Sequence, residues 1–207
     1  MPFHTEVPAR VHRALARASE LGFPGVCEDP VGPLLATLAA AVPPDGRILE
    51  LGTGTGVGTA WLAAGLGRRG DARLETVELD ESLAAAVRAD DWPPYVTVHT
   101  GDAEALLPTL GQFDLIFADA VAGKWTGLDL TIDALTPGGL LVVDDMDLGR
   151  YPDPQHRATV LRVERTLADD PRLVPARIAA GTGLIIASRR PDHLATTAGQ
   201  SSSARPD

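Results

Sequence analysis

Residues 47–60 read R-I-L-E-L-G-T-G-T-G-V-G-T-A, and this pattern decides the fold. An apolar run (Ile48, Leu49, Leu51) stops at four glycines in alternate positions: Gly52, Gly54, Gly56 and Gly58. An amphipathic stretch, Thr59 to Leu66, follows at once. The order predicts a buried strand, a tight loop that lets a ligand approach its backbone, and a helix whose first N–H groups are unpaired. Four glycines in seven residues sacrifice more chain entropy than a plain turn needs, so the loop reads as a ligand cradle.

Upstream, helical spacing predicts a helix over Val7–Leu21, ended by Gly22 and Pro24, and a second over Pro33–Val42. Downstream, strands are predicted at Arg73–Leu79, Tyr95–His99, Phe113–Ala118, Leu140–Val143, Leu173–Ile178 and Leu184–Ser188. Helices are predicted over Glu81–Ala89 with Asp80 as cap, from Gly101-Asp102 to Pro108, weakly over Trp125–Leu135, and over Gln155–Asp169. Strands alternating with helices imply an α/β fold: a doubly wound, seven-stranded, mainly parallel sheet with helices on both faces. The chain divides into an N-terminal helical segment (1–45), a core (46–190), and a tail (191–207) whose Ser, Thr, Gly and Pro content predicts disorder.

The 207 residues suit one domain with a sizeable core. No apolar run is long enough for a membrane span, and the N-terminus lacks the pattern of a secretory signal. Cys27 is the only cysteine, which excludes an internal disulfide and multi-cysteine metal sites. A cytoplasmic protein is the simplest expectation. The net charge of −10 argues against a nucleic-acid partner. A homodimer through the N-terminal segment is left open.

In such a sheet, ligands bind beyond the C-terminal strand ends. Those ends carry Gly52–Gly58, Glu78, Asp102, Asp119 and the pair Asp144-Asp145. The dinucleotide fingerprint G-x-G-x-x-G fails here: starting at Gly52 it meets Val57, and starting at Gly54 it meets Thr59. Taken in order, E-L-G-T-G-T-G, V-E-L-D and G-D-A resemble the motifs of class I S-adenosylmethionine-dependent methyltransferases, over roughly residues 26–188. The resemblance implies the Rossmann-like methyltransferase fold. It implies cofactor contacts from Glu50, Gly52, Thr53, Gly54, Gly56, Gly58, Thr59 and Asp119, with Gly52–Gly58 against the methionine part, Glu78 on the ribose, and Asp102 and Ala103 at the adenine. A carboxylate suits a ribose diol because it accepts two hydrogen bonds at once.

F-A-D-A and L-V-V-D-D further resemble the small catechol and caffeoyl-coenzyme A O-methyltransferases. That likeness implies methyl transfer to a hydroxyl of a small molecule. It also implies Mg²⁺ or another divalent cation held by Asp119, Asp144 and Asp145, although Asp145 stands where those relatives have Asn. Oxygen-only ligation favours such a hard ion. The relatives carry a lysine base three residues after the first aspartate. Here that place is Ala122, and Lys124, five residues on, is the only lysine in the chain. The expectation is therefore catalysis by Lys124 and Asp119. Two other readings stay open, a nicotinamide-dependent oxidoreductase and a non-catalytic cofactor-binding protein. Blander readings also stand: Asp102 as a helix cap, Asp144-Asp145 as strand-end carboxylates, and Lys124 as a solvent-facing side chain.

Overall fold

Seven strands form one sheet in the order β3-β2-β1-β4-β5-β7-β6. The structure is a computed structural model and describes residues 6–191. The strands are β1 Arg47–Leu51, β2 Arg73–Glu78, β3 Val96–Thr100, β4 Phe113–Ala118, β5 Leu135–Val143, β6 Leu173–Ile178 and β7 Leu184–Arg189. The first five run parallel, and β7 lies antiparallel between β5 and β6. The helices are α1 Ala9–Leu21, α2 Val31–Ala40, α3 Val57–Leu66, α4 Glu81–Arg88, α5 Ala103–Leu110, α6 Leu128–Asp133 and α7 Pro154–Asp169.

Alternation along each strand sends side chains to two separate cores, as a sheet covered on both faces requires. Ile48, Leu74, Leu115, Phe117 and Val142 pack with α1, α2 and α3. Leu49, Leu51, Ile116, Leu141 and Val143 pack with α5, α6 and α7. Helices α2 and α3 approach closely because Gly65 has no side chain: a Cβ there would lie 2.0 Å from the Ala36 carbonyl oxygen. Trp61 is buried in this layer against Gly32, a core role.

Three elements depart from the sequence expectation. Helix α5 runs through Pro108 to Leu110 and ends before Gly111 (φ 85°). Only 128–133 of the stretch from Trp125 to Leu135 is helical; residues 121–126 are held instead by turn hydrogen bonds such as Trp125 N–H to the Val121 carbonyl at 2.8 Å. Strand β5 begins at Leu135 and passes through Pro137-Gly138-Gly139 with a register shift opposite Phe113–Leu115, so the expected turn is an irregularity inside the strand. The tail from residue 192 onward lies outside the described residues.

Candidate active site

Strand order reverses between β1 and β4, and the glycine loop sits at that switch point. The Gly52 and Thr53 N–H groups both donate to the Val77 carbonyl (3.0 and 3.2 Å), and Asp119 N–H donates to the Leu51 carbonyl at 2.9 Å. These bonds draw the ends of β1, β2 and β4 together. Gly52 has φ +96°, and a Cβ there would lie 2.5 Å from the Asp119 carbonyl oxygen, so any side chain would push the two strand ends apart.

A cavity of about 170 Å³ opens on this loop, lined by Glu50, Gly52, Thr53, Gly54, Gly58, Glu78 and Asp119 among others. Seven of the expected cofactor residues therefore converge. Gly56 and Thr59 do not reach the lining: Gly56 caps α3 with φ 84°, and Thr59 lies buried behind it. Asp102 and Ala103 start α5 beyond the cavity, at the end of β3 next to β2. Asp102 Oδ1 accepts from Glu104 N–H at 2.9 Å, which makes Asp102 the helix cap.

Sequence reasoning missed the opposite wall. Phe23, Gly25, Val26 and Cys27, in the segment after α1, close the cavity, with the Phe23 ring against Gly54. Arg17 on α1 fixes that cover by donating to the Thr55 carbonyl at 2.7 Å and pairing with Asp90 at 2.7 Å. Nothing in the local pattern of 22–27 signals this role, because the contact is made across the fold. Burial, Asp144, Asp119 and Glu50 push the Cys27 thiol well above its usual range, so it is an inert wall residue.

Glu50 anchors a second hidden feature. Its Oε2 accepts from Thr59 Oγ and from Thr76 Oγ (2.6 Å), and Thr76 shares a 2.6 Å hydrogen bond with Thr53. This chain knits β1, β2, the loop and α3, and the bare Cα of Gly58 leaves room for the carboxyl. Burial raises Glu50 to about 8, against the opposing hydrogen bonds from Thr59 and Thr76. The unfolded chain releases this proton near the ordinary carboxylate pKa while the folded chain keeps it. The stability contributed by protonated Glu50 is thus complete below about pH 4.5 and is lost as pH rises toward 8. Glu50→Gln is expected to flatten the decline of unfolding temperature between those values, measured by calorimetry beside the parent. An identical decline in both proteins would remove Glu50 as its source.

Glu78 faces the loop from β2: Oε2 accepts from Gly54 N–H at 2.8 Å and Oε1 from Asp80 N–H at 3.0 Å. Beyond Asp119, the carboxylates of β5 meet Lys124. Its Nζ donates to Asp145 Oδ2 at 2.7 Å and lies 3.4 Å from Asp119 Oδ1. Lys124 is 2 % exposed, so the solvent-facing reading is corrected. The loop 121–127 puts it there. Gly123, at φ +86°, presses onto Leu51 and Thr131, and Thr131 Oγ holds the Gly123 carbonyl at 2.7 Å.

Two further carboxylate oxygens are taken, while Asp119 Oδ2 and Asp144 Oδ2 accept no hydrogen bond from the described residues. Asp145 Oδ1 accepts from Tyr151 at 2.7 Å, and Asp144 Oδ1 accepts from Asp145 N–H (2.7 Å) and from Thr182 Oγ. Burial and the neighbouring carboxylates raise Asp119, which reaches about 7, and Asp144, with Lys124 opposing; Asp145 is lowered, because Lys124 and Tyr151 outweigh its burial. Tyr151 and Trp125 flank His156 with ring centroids at 4.4 and 5.4 Å, and Arg150 clamps Glu28, joining the loop after β5 to the N-terminal segment.

These carboxylates do not fit the divalent site that the sequence resemblance implied. An ammonium already lies between Asp119 and Asp145, and both Asp145 oxygens are engaged by protein donors. Among the described residues, no group of three or more His, Cys, Asp or Glu is arranged to hold a metal ion. The metal expectation for Asp119, Asp144 and Asp145 finds no support in this arrangement, and no catalytic step is derived through it.

The fold and the glycine-loop cavity define a class I methyltransferase, and a methyltransferase-domain profile matches residues 49–146. A Mycolicibacterium vanbaalenii protein named as a candidate O-methyltransferase is 32% identical over 87% of this chain and 84% of its own. The O-methyltransferase TomG from Streptomyces achromogenes, involved in tomaymycin synthesis and solved with S-adenosylmethionine, superposes with TM-score 0.75 at 29% identity, covering 89% of this chain and 91% of its own. Cofactor-bound Rv0187 from MTB gives TM-score 0.78 at 28% identity, over 90% and 92%. The chain belongs to the S-adenosylmethionine-dependent O-methyltransferases. The nicotinamide and non-catalytic readings find no support in these relatives.

Proposed function

We propose that this enzyme transfers the sulfonium methyl group of S-adenosylmethionine to a hydroxyl of a small aromatic molecule, with Asp119 taking the hydroxyl proton. The observation that carries the reading is the placement of Asp119. It lines the donor cavity beside Gly52, and it also faces the Lys124–Asp145 cluster. Its Oδ2 takes no hydrogen bond from the described residues and is not buried, so it is free to accept.

Along the sheet edge, the methionine part would occupy the cavity between Gly52 and Asp119. The paired strand ends and the absence of a side chain at Gly52 supply the cradle. The ribose diol would bind Glu78, whose oxygens each keep a lone pair beyond the Gly54 and Asp80 bonds. The adenine would reach Asp102 and Ala103 at the end of β3. Glu50 and Thr59 act from behind by holding the loop in shape.

The acceptor oxygen attacks the methyl carbon in line with the carbon–sulfur bond. That bond's electron pair leaves on sulfur as S-adenosylhomocysteine forms, and the proton passes to Asp119. Holding the reactants in this line supplies most of the acceleration. In this reading Lys124 is a positioning residue and not the base: its Nζ donates to Asp145 and faces Asp119, which supports a holding role. Trp125, Tyr151 and His156 give the acceptor side its aromatic character. The same proposal places the enzyme in the cytoplasm, in keeping with the single free thiol of Cys27, and gives it no nucleic-acid partner, in keeping with the charge of −10. Among the described residues no helix is long and apolar enough to cross a membrane. A homodimer through α1 is part of the proposal.

The test is incubation with methyl-deuterated S-adenosylmethionine and a panel of phenols, catechols and aliphatic alcohols, read by mass spectrometry. The expected result is one labelled methyl on a phenolic oxygen with equimolar S-adenosylhomocysteine. Transfer confined to nitrogen or sulfur acceptors would overturn it.

A further inference from the structure

We propose that the Lys124 ammonium is a built-in cation, filling the place where the resemblance implied a divalent metal, and that this enzyme works without one. Three independent features converge on Nζ. It has two carboxylate neighbours, Asp145 Oδ2 at 2.7 Å and Asp119 Oδ1 at 3.4 Å. The Trp125 ring covers it with its centroid 4.5 Å away, a cation–π contact that favours a fixed positive charge. And Lys124 is 2 % exposed, although no other lysine occurs in the chain.

The surroundings leave few free oxygens for a second cation at the same point. A hard ion such as Mg²⁺ demands a near-octahedral set of oxygens. Here Asp145 Oδ1 is bound by Tyr151, Asp145 Oδ2 by Lys124, and Asp144 Oδ1 by Thr182 and the Asp145 N–H. An incoming ion would have to expel the ammonium or sit against it, charge on charge. The substitution is also consistent along the chain. Asp stands at 145 where the metal-dependent relatives have Asn, so the added negative charge meets the Lys124 ammonium. Gly123 and the two added residues before Lys124 let the loop deliver it.

A lysine-borne charge needs no loading and does not leave with product. It offsets the carboxylates and fixes Asp119 on the acceptor side without chelating the acceptor. A single hydroxyl therefore suffices, where a metal site would favour two adjacent oxygens. This proposal rests on the methyl-transfer reading only for its activity arm.

The experiment titrates chelator-stripped enzyme with MgCl₂ and MnCl₂ by calorimetry and thermal unfolding, and assays methyl transfer in parallel. The stripped enzyme is expected to show no saturable heat, no shift in unfolding midpoint and undiminished activity. Lys124→Met is expected to lose activity and to gain a saturable Mn²⁺ response at the vacated carboxylates. Saturable binding of either ion by the parent enzyme, or activity lost on chelation and restored by metal, overturns the proposal, as does a folded Lys124→Met protein that ignores both ions. Where that variant does not fold, amine acylation of the native enzyme decides: the single lysine is expected to stay unmodified until the chain is unfolded, and ready labelling overturns the proposal. If the enzyme ignores metal yet methylates no hydroxyl, the methyl-transfer reading falls and the cation assignment stands.

Discussion

Asparagine at position 119 is expected to lower kcat for methyl transfer by about 10²–10⁴, the range a positioned general base contributes. The substitution keeps the shape of the side chain and removes its ability to take a proton. Gly52 touches the Asp119 backbone rather than its carboxylate, so the dissociation constant of S-adenosylhomocysteine should change little. The pH profile separates catalysis from structure. In the parent, burial and the neighbouring carboxylates raise Asp119 to about 7, so kcat/KM should climb through neutrality as the group ionises. In Asp119→Asn that limb should vanish. A variant that keeps both its rate and the limb would remove Asp119 from the chemistry.

The second large effect falls on cofactor affinity. Glu78→Ala is expected to weaken S-adenosylhomocysteine binding about 100-fold by calorimetry, since two hydrogen bonds to a charged group are worth about 3 kcal/mol together and each 1.4 kcal/mol is tenfold. Part of that loss is loop order, because Glu78 also holds the Gly54 and Asp80 N–H groups. Glu78→Gln separates the two contributions. It retains one acceptor oxygen and most of the side-chain packing, so its affinity should fall between parent and alanine while its unfolding temperature stays near the parent's. Unchanged affinity in Glu78→Ala would place the ribose elsewhere.

What the sequence showed and what it hid follow from the range of the interactions. The glycine loop, β4 and the Asp80 cap are local: adjacent residues decide them, and the structure has them where the pattern puts them. The ends of β5 and α6 were misplaced because Pro137-Gly138-Gly139 reads as a turn, whereas pairing of Leu135 with Phe113 carries the strand past it. The donor-side residues were legible as a set since each terminates a strand in a parallel sheet. The cover from Phe23 to Cys27, and the Thr53–Thr76–Glu50 chain, join segments distant in sequence and leave no periodic trace. The aspartates after β4 and β5 were legible as residues, but the groups that meet them were not. Lys124 follows Asp119 on the loop after β4, and only the fold shows that its ammonium points between Asp119 and Asp145.

The reversal of strand order at β1 and β4 splits this enzyme into two nearly separate texts. Everything proposed to hold the donor nucleoside lies between Glu50 and Ala103, on β1, β2 and β3. Everything proposed to face the acceptor lies on the loops after β4 and β5 and on His156 in the first turn of α7, tied to the N-terminal segment through Glu28 and Arg150. The seam between them is a backbone contact, Gly52 on the Asp119 carbonyl, which any residue at position 119 could supply. Acceptor choice can therefore drift, or be rewritten by grafting residues 121–127 and 146–153 from a relative, while the donor half passes unchanged from one chimera to the next.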